Sequence, residues 1–202
     1  MERYLSRYIR SKEAVAHHAR YSPMRTRRLL DRWGAPDRRL AIVRVIGTKG
    51  KGSTAAMLEA VMRAAGYRTG LYTSPHLHTP RERIRVGGQL IARGDFAAGL
   101  GLLLPALEES LKWEIGPVTL FEGLTALAMY HFARQGVELA VVEAGMGGKT
   151  DATQALQPVL TLLTPISLDH QAYLGETLVA IAEEKVGAIP PGGTAASARQ
   201  AP

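Results

Sequence analysis

Apolar residues fall into two patterns along the chain: short unbroken runs and longer stretches at helical spacing. Runs at 40–46, 137–143 and 158–164 are almost wholly apolar, as in strands that helices cover on both faces. A shorter run at 69–73 predicts a fourth strand. Helices are predicted over 1–19, 24–33, 53–66, 94–111, 119–134 and 175–187. Alternating strands and helices predict an α/β fold with a doubly wound, mostly parallel sheet.

Turn signals refine this outline. The pattern Thr119-x-x-Glu122 is a capping box that begins one helix. Residues 83–88 are expected to form a hairpin around two glycines. The tail 190–202 is poor in apolar residues and contains no predicted element that would close the sheet. We therefore expect the sheet to be incomplete within this chain.

Composition limits the class of protein. The 202 residues are 46% hydrophobic and 21% charged, as in a soluble globular protein with one core, or one domain and part of another. The chain has no cysteine, which excludes disulfides, thiolate metal sites and cysteine catalysis. No apolar stretch approaches the roughly 20 residues that span a bilayer, and the N-terminus lacks the apolar core of a signal peptide. We expect a cytoplasmic protein with no membrane partner.

Positive charge is concentrated at one end of the chain. Residues 1–39 hold eleven Lys and Arg against four Asp and Glu, a surplus of seven that equals the net charge of +7. Such a segment is either a solvated helix face or a surface that attracts anions. A stacking platform for nucleic acid needs interleaved aromatic residues, and only Tyr4, Tyr8, Tyr21 and Trp33 occur here. We expect no nucleic-acid partner.

The most informative segment is Gly47-Thr-Lys-Gly-Lys-Gly-Ser53, which lies between the strand at 40–46 and a helix. Glycines allow backbone N–H groups to approach phosphates, and a helix N-terminus adds partial positive charge. Lys51 can reach the outer phosphates. This P-loop predicts ATP binding. The expected contacts are Gly47, Thr48, Lys49, Gly50, Lys51, Gly52, Ser53 and Thr54.

Two comparisons with known phosphate-binding patterns sharpen this prediction. The pattern G-x-x-x-x-G-K-[ST] would require glycine at Val45 and a hydroxyl directly after Lys51, where Gly52 stands. The dinucleotide pattern G-x-G-x-x-A also fits, but that fold needs an acidic residue at the end of the next strand. The strand at 69–73 is followed by Ser74 and no carboxylate, so we reject the dinucleotide interpretation.

Polar side chains at three other predicted strand ends suggest a metal site. Ser74, Glu143 and His170 follow separate strands, and ligands of open parallel sheets bind beyond the carboxyl ends of strands. A lone carboxylate that ends a buried strand needs a cation or a donor. Mg²⁺ prefers hard oxygen ligands and few protein contacts, although histidine is a less usual ligand for it. The pattern predicts Mg²⁺ beside the nucleotide phosphates.

Seven short motifs occur in order along the chain and carry a resemblance to a known family. They are Gly47–Ser53, Tyr72–Leu77, Arg81–Ile84, Thr119–Glu122, Glu143–Thr153, Leu168–His170 and Glu184–Ile189. The chain resembles the folylpolyglutamate synthase/dihydrofolate synthase family, within the Mur-ligase superfamily, over essentially all of its length. The resemblance implies that residues 1–202 are an incomplete N-terminal ATP-binding domain of the Mur-ligase central type. It also implies that a C-terminal glutamate-binding domain lies outside this chain.

The resemblance further implies a reaction. ATP would transfer its γ-phosphoryl group to a carboxylate of dihydropteroate or a folate, and the amino group of L-glutamate would attack the acyl phosphate. The protein would chiefly position the reactants and neutralise their charge. The full-length protein is expected to be a monomer, whereas these 202 residues alone are expected not to ligate and to bind nucleotide weakly.

Roles follow from the matched motifs. Lys51 would hold phosphates, and Ser74, Glu143 and His170 would hold Mg²⁺. Lys185 matches a lysine that is carbamylated in this family, so the implied catalytic residues are Lys51, Glu143, His170 and Lys185. Residues 22–25 are a further, poorly matched candidate for the substrate pocket. The implied pterin or folate contacts are Thr119, Phe121, Glu122, Thr150, Asp151 and Ala152.

Two departures from the family pattern and two alternatives accompany this hypothesis. Gln154 stands where the family usually has asparagine, and Pro190 where it has lysine or another polar residue. One alternative is an amide ligase of the same superfamily with another substrate, such as a cell-wall precursor. The other is a non-catalytic nucleotide-binding module. The Ser74-Pro-His segment together with the motif 81–84 favours the folate branch.

Overall fold

The computed structural model describes residues 21–200, so the helix predicted over 1–19 lies outside the described residues. Within residues 21–200, seven strands form one sheet with the order β4-β3-β2-β5-β1-β6-β7. The strands are β1 Ala41–Ile46, β2 Thr69–Tyr72, β3 Ile84–Val86, β4 Gln89–Leu90, β5 Leu139–Glu143, β6 Leu160–Leu163 and β7 Ala195–Ser197. The helices are α1 Pro23–Arg32, α2 Lys51–Ala64, α3 Arg93–Ser110, α4 Leu120–Arg134, α5 Gln171–Leu174 and α6 Leu178–Val186.

The sheet is mostly parallel, which confirms the predicted fold class. The parallel pairs are β2–β5, β5–β1, β1–β6 and β6–β7. At the other side of β2, β3 and β4 extend the sheet as an antiparallel hairpin. In the central register Val43 lies opposite Val141, and Val45 lies opposite both Glu143 and Leu162. The carboxyl ends of β1, β2, β5 and β6 therefore meet at one edge of the sheet.

Helices cover both faces of the central strands. On one face Val45 packs with Ala55 of α2. On the other face Val142 joins a larger core that includes Leu124 and Phe132 of α4. A Cβ at Gly70 of β2 would lie 2.9 Å from the ring of Phe132, so α4 can approach the sheet only where the strand carries glycine. None of the helices within residues 21–200 has the length and apolar character to cross a membrane.

Two features at the C-terminal end differ from the sequence-based outline. Helix α6 begins at Leu178 because the Thr177 hydroxyl caps it, accepting the Ala180 N–H at 3.2 Å. The prediction that the tail contains no strand was wrong, since β7 pairs in parallel with β6. All three residues of β7 are exposed, and backbone hydrogen bonds hold the strand in place. A strand of this kind leaves no apolar pattern in the sequence.

Candidate functional site

The phosphate loop connects β1 directly to α2. Gly50 caps the helix with φ of 80°, in the left-handed region that favours glycine. Gly47 has φ of 135°, and a Cβ there would overlap the Thr164 hydroxyl. The backbone N–H groups of Lys51, Gly52 and Ser53 lie in the first helical turn, where no intrahelical acceptor exists. The loop therefore presents amide donors and partial positive charge to an anion.

The first part of the loop is anchored to the protein instead. The N–H groups of Thr48 and Lys49 both donate to the carbonyl oxygen of Pro165, at 3.1 and 3.3 Å. The Thr48 hydroxyl donates to the carbonyl of Ser167 and accepts its N–H, both at 3.2 Å. These bonds tie the loop after β1 to the loop after β6. The predicted backbone donors at Thr48 and Lys49 thus already have protein acceptors, and the donors at the start of α2 face the site.

Glu143 ends β5 beside this loop. Its side chain is buried, with the residue 4% exposed, and Oε2 accepts the Ser74 N–H at 2.9 Å. A Cβ at Gly52 would lie 3.3 Å from the same oxygen, so the glycine after Lys51 leaves room for the carboxylate. Burial raises the pKa of Glu143, and the nearby Lys51 ammonium opposes that rise. The carboxylate and the loop thus form one charged wall.

A cavity of about 440 Å³ opens beyond the carboxyl ends of the strands. Lys51, Ser74 and His170 contribute to its walls, and Glu143 lies behind Ser74, whose N–H it accepts. The structure therefore brings together residues that lie more than 100 positions apart in sequence. The lining residues are Tyr21, Lys51, Ser74, Pro75, Arg83, Phe121, Glu122, Gly145, Met146, Asp151, Ala152 and His170.

The donor set at this wall is compatible with Mg²⁺. Within residues 21–200 no group of three or more His, Cys, Asp or Glu side chains is arranged to hold a metal ion. Mg²⁺ needs fewer protein ligands, because waters and substrate phosphates complete its octahedral shell. Glu143 offers a carboxylate beside Ser74, and His170 has a half-exposed side chain whose Nε2 lies 3.7 Å from Asp169. These residues fit a magnesium site shared with phosphates and would not suffice for structural zinc.

Lys185 approaches the phosphate loop from α6. The residue is 2% exposed, and its Nζ donates to the carbonyl oxygen of Gly47 at 2.8 Å. Burial and, secondarily, the charge of Lys51 lower the pKa of Lys185 to about 8. The lowered pKa increases the share of neutral amine, which is the form that reacts with electrophiles.

Asp151 shapes the opposite wall. Its Oδ2 accepts the N–H groups of Gly145 and Met146 at 2.9 and 3.0 Å, and Oδ1 accepts the N–H of Thr153 at 2.8 Å. The Thr153 hydroxyl donates to Oδ1 as well. Burial raises the pKa of Asp151, and these donors oppose that rise. The carboxylate therefore holds the turn after β5 in place while one side of the residue lines the cavity.

Glu122, like Asp151, accepts several backbone N–H groups and holds neighbouring segments in place. The predicted capping box is present, since Glu122 Oε2 accepts the Thr119 N–H at 2.7 Å and the Thr119 hydroxyl accepts the Glu122 N–H at 3.3 Å. The same carboxylate accepts the Ser22 N–H at 2.9 Å and a guanidinium N–H of Arg25 at 3.3 Å. Glu122 therefore docks the start of α1 on α4. Thr119 itself does not line the 440 Å³ cavity.

Thr150 faces away from the other predicted substrate contacts. Its N–H and its hydroxyl both donate to Glu184 Oε1, each at 3.2 Å. The residue lines a separate cavity of about 330 Å³ between the turn after β5 and the helices α5 and α6. Adjacent residues of this turn thus point into different cavities: Thr150 into the smaller one and Asp151 into the larger one.

Arg83 is a lining residue that the sequence did not single out. Its Nε–H donates to His76 Nδ1 at 2.9 Å, and its guanidinium carbon lies 6.0 Å from the centre of the Phe121 ring. Its membership of the motif 81–84 was the available signal. Tyr21, Pro75, Gly145 and Met146 were missed as well. Their contribution depends on loop conformations that the sequence pattern does not specify.

Comparisons with known proteins place this geometry in context. No family model matches the chain. A probable bifunctional folylpolyglutamate synthase/dihydropteroate synthase of Haloferax volcanii is 45% identical over 164 residues, which are 81% of this chain and 20% of the relative. The dihydrofolate synthase/folylpolyglutamate synthase of Bacillus subtilis is 38% identical over 169 residues, 83% of this chain and 39% of the relative.

Solved structures of proteins with related names are similar to this chain as well. An FPGS–AMPPCP–folate complex is 35% identical and superposes with a TM-score of 0.86, covering 99% of this chain and 48% of that one. Escherichia coli FolC in complex with DHPP and ADP is 30% identical, with a TM-score of 0.81 over 93% of this chain and 43% of that one. The chain therefore spans less than half the length of these relatives.

Proposed function

Because this chain is homologous to the folylpolyglutamate synthase/dihydrofolate synthase family, we propose that it is the nucleotide- and pterin-binding part of an ATP-dependent ligase. The ligase joins L-glutamate to dihydropteroate or to a folate. One observation carries the proposal: Lys51 of the phosphate loop and the Asp151-Ala152 pair line the same cavity. A phosphate donor and an acid acceptor bound there would lie side by side.

The nucleotide half of the site rests on α2 and its neighbours. In this proposal the amides at the start of α2 and the Lys51 ammonium hold the phosphates of ATP. The structural relatives named for their AMPPCP and ADP complexes support a nucleotide ligand. Ser74, Glu143 and His170 would hold Mg²⁺, which would supply positive charge to neutralise the phosphates. Glu143 contributes its carboxylate at the bottom of this half, where burial strengthens its attraction for cations.

The acid substrate occupies the other half of the cavity. Phe121, Met146 and Ala152 provide apolar walls against which a flat pterin ring can pack, and Asp151 and Glu122 hold the surrounding backbone in place. We leave Thr150 out of this pocket because it lines a different cavity. The structural relatives named for their folate and DHPP complexes support a ligand of this class.

The proposed reaction has two steps. A carboxylate oxygen of dihydropteroate or folate attacks the γ-phosphorus of ATP, and ADP leaves with the bridging oxygen. The amine of L-glutamate then attacks the acyl carbon, expels phosphate and loses a proton, forming the amide. In both steps the Lys51 ammonium stabilises the negative charge of the transferred phosphoryl group. Burial lowers the pKa of Lys185 to about 8, which favours the neutral amine that carbamylation requires, and a carbamate there would add an anion near the proposed metal site.

The glutamate site belongs, in this proposal, to a C-terminal domain that these residues do not include. Residues 1–202 belong, in the same proposal, to an incomplete N-terminal ATP-binding domain of the Mur-ligase central type. This division agrees with the share of each relative that the chain spans, 20% to 48% in the relatives named above. The complete ligase works as a monomer, with this chain supplying the phosphates' binding loop and the acid pocket.

A ligation assay tests the proposal. The protein encoded by the complete reading frame receives ATP, Mg²⁺, L-glutamate and either dihydropteroate or a folate. We expect ADP release that requires both glutamate and the pteroate or folate acid. ADP release that does not depend on these acids but requires a cell-wall precursor would identify the protein as another amide ligase. Nucleotide binding without any acid-dependent turnover would favour a non-catalytic module.

A further inference from the structure

The segment Arg81-Glu82-Arg83 forms a short 3₁₀ turn that leads into β3, and each of its side chains reaches a different part of the structure. The Arg81 Nε–H donates to the carbonyl oxygen of Ile91 at 2.8 Å. The Arg83 Nε–H donates to His76. Glu82 turns back toward the loop that precedes it. The proposed function assigns no role to this triplet as a unit.

Glu82 holds three consecutive backbone groups. Its carboxylate accepts the N–H of Leu77 at 2.8 Å, of His78 at 2.9 Å and of Thr79 at 2.7 Å. The bonds from Leu77 and Thr79 are the main reason that the pKa of Glu82 falls to about 2. The lowered pKa favours the ionised form, and a carboxylate can accept all three bonds at once.

The loop over 74–79 is held by these polar bonds rather than by apolar packing. Leu77 at its tip is 85% exposed, so the loop lacks a buried apolar anchor there. Its base is closed by the Thr73 N–H, which donates to the carbonyl of Arg83 at 3.0 Å. Next to this base, the Ser74 N–H donates to Glu143. Ser74, which faces the carboxylate, therefore lies in the same short loop whose tip Glu82 holds.

We propose that Glu82 is a positioning residue that fixes Ser74 against Glu143. It never enters the cavity, since it acts through the backbone of 77–79 and the turn at 80–83. A preformed loop means that no ordering is required when a ligand binds, which favours binding. The geometric part of this inference is independent of the ligand. Its consequence for Mg²⁺ and nucleotide rests on the proposed function.

The test compares Glu82→Gln with Glu138→Gln in the 202-residue protein. Glutamine has one acceptor oxygen and an NH₂ donor, so it cannot satisfy three N–H groups. Glu138 is the matched control, because it too accepts one backbone N–H, that of Arg68 at 2.8 Å, but at the far end of β5. Amide hydrogen exchange followed by NMR reports on each N–H separately, and the Val142 amide monitors global opening.

We expect E82Q to speed exchange at Leu77, His78 and Thr79 by at least about tenfold, and at Ser74 by a similar factor, with Val142 unchanged. E138Q should leave all four loop amides as they are. Protection of Ser74 that persists in E82Q, while the three tip amides exchange faster, would overturn the positioning role. Unchanged exchange at the tip would overturn the inference as a whole.

Titration with AMPPCP supplies the second readout. E82Q should weaken binding in the presence of Mg²⁺ by about tenfold and leave binding without metal within about twofold, because the start of α2 is untouched. Equal Mg²⁺-dependent affinities of wild type and E82Q would contradict the proposal even if the loop amides exchange faster. A wild-type chain without any Mg²⁺-dependent affinity would count against the proposed metal site at Ser74 and Glu143, and the exchange at Ser74 still decides the role of Glu82.

Discussion

The two walls of the cavity are built by different means. On the nucleotide side the shape comes from the backbone: glycines with positive φ turn β1 into α2, and Gly52 leaves room for Glu143. On the substrate side the shape comes from buried carboxylates. Asp151 and Glu122 each accept several backbone N–H groups, and burial raises the pKa of both.

This difference predicts different failures. Damage to the nucleotide wall should act through steric overlap, because Gly47 and Gly52 lie against Thr164 and Glu143. Damage to the substrate wall should act through donors that lose their acceptor, because each carboxylate satisfies several amides. The two walls also contain different numbers of groups that face a ligand. The start of α2 presents unsatisfied donors, whereas most acceptor positions of Asp151 and Glu122 are already used by the protein.

The largest effect is expected from Gly47→Ala. The new Cβ would overlap the Thr164 hydroxyl, and φ at this position disfavours any side chain. We expect a loss of at least about 3 kcal/mol in the free energy of unfolding and no measurable AMPPCP binding. Gly101→Ala is the control, since α3 is open there and alanine favours a helix by roughly 0.5–1 kcal/mol. Urea denaturation of both variants measures the difference, and equal stabilities would refute the steric account.

Asp151→Asn should affect the other wall. An amide NH₂ would face the N–H groups of Gly145 and Met146, or would replace the acceptor of Thr153. We expect about 2 kcal/mol lower stability and about tenfold weaker binding of dihydropteroate or folate, with AMPPCP affinity retained. Asp31→Asn, at an exposed ion pair with Arg27, serves as the control with a change below about 0.5 kcal/mol. A loss of AMPPCP affinity as large as that for folate would argue against two separable walls.

Lys185, beside the phosphate loop, should make the free energy of unfolding depend on pH. Burial lowers its pKa from 10.5 to about 8, so between these values the folded protein binds fewer protons than the unfolded chain and stability rises with pH. Lys185→Met removes this term. From about pH 7 to pH 9.5, wild type should gain on the order of 1–2 kcal/mol relative to K185M. Denaturant unfolding at both pH values measures the gain, and parallel pH curves would show that Lys185 is not shifted.

The smallest effect is expected from Thr150→Val. The variant loses the hydroxyl that donates to Glu184 but keeps the backbone N–H that donates to the same oxygen. We expect a loss of at most about 1 kcal/mol and unchanged affinity, within about twofold, for AMPPCP and for folate. Isothermal titration measures both affinities. A large loss of folate affinity would return Thr150 to the substrate pocket.

These contrasts explain which parts of the molecule could be predicted from the sequence. The central strands and the phosphate loop could, because strands covered on both faces leave apolar runs and a phosphate cradle requires glycines at fixed spacing. β7 could not, because it depends on backbone bonds to β6 alone. The separation of Thr150 from Asp151 could not either, since the direction of adjacent side chains in a turn depends on its dihedral angles.

Arg44 is a second feature that hydrophobic patterning does not predict. It lies in the middle of β1, within a run whose other members are apolar, and it is 1% exposed. Its guanidinium donates to the carbonyl oxygens of Thr153 and Ala188 and, at 2.8 Å, to Gln154 Oε1. This contact gives Gln154 a structural role beside β1. Hydrophobic patterning passes over such a residue because its partners come from distant segments of the chain.

The central claim is that the phosphates of ATP bind at Lys51 and at the amides of α2. Calorimetric titration of AMPPCP with Mg²⁺ into wild type, Lys51→Met and Lys49→Met tests it most directly. Lys49 is the matched control, because it is an exposed lysine two residues away whose N–H is bonded to Pro165. We expect K51M to weaken binding by at least about a hundredfold and K49M by less than about threefold. Equal effects of the two substitutions, or none from K51M, would contradict the account.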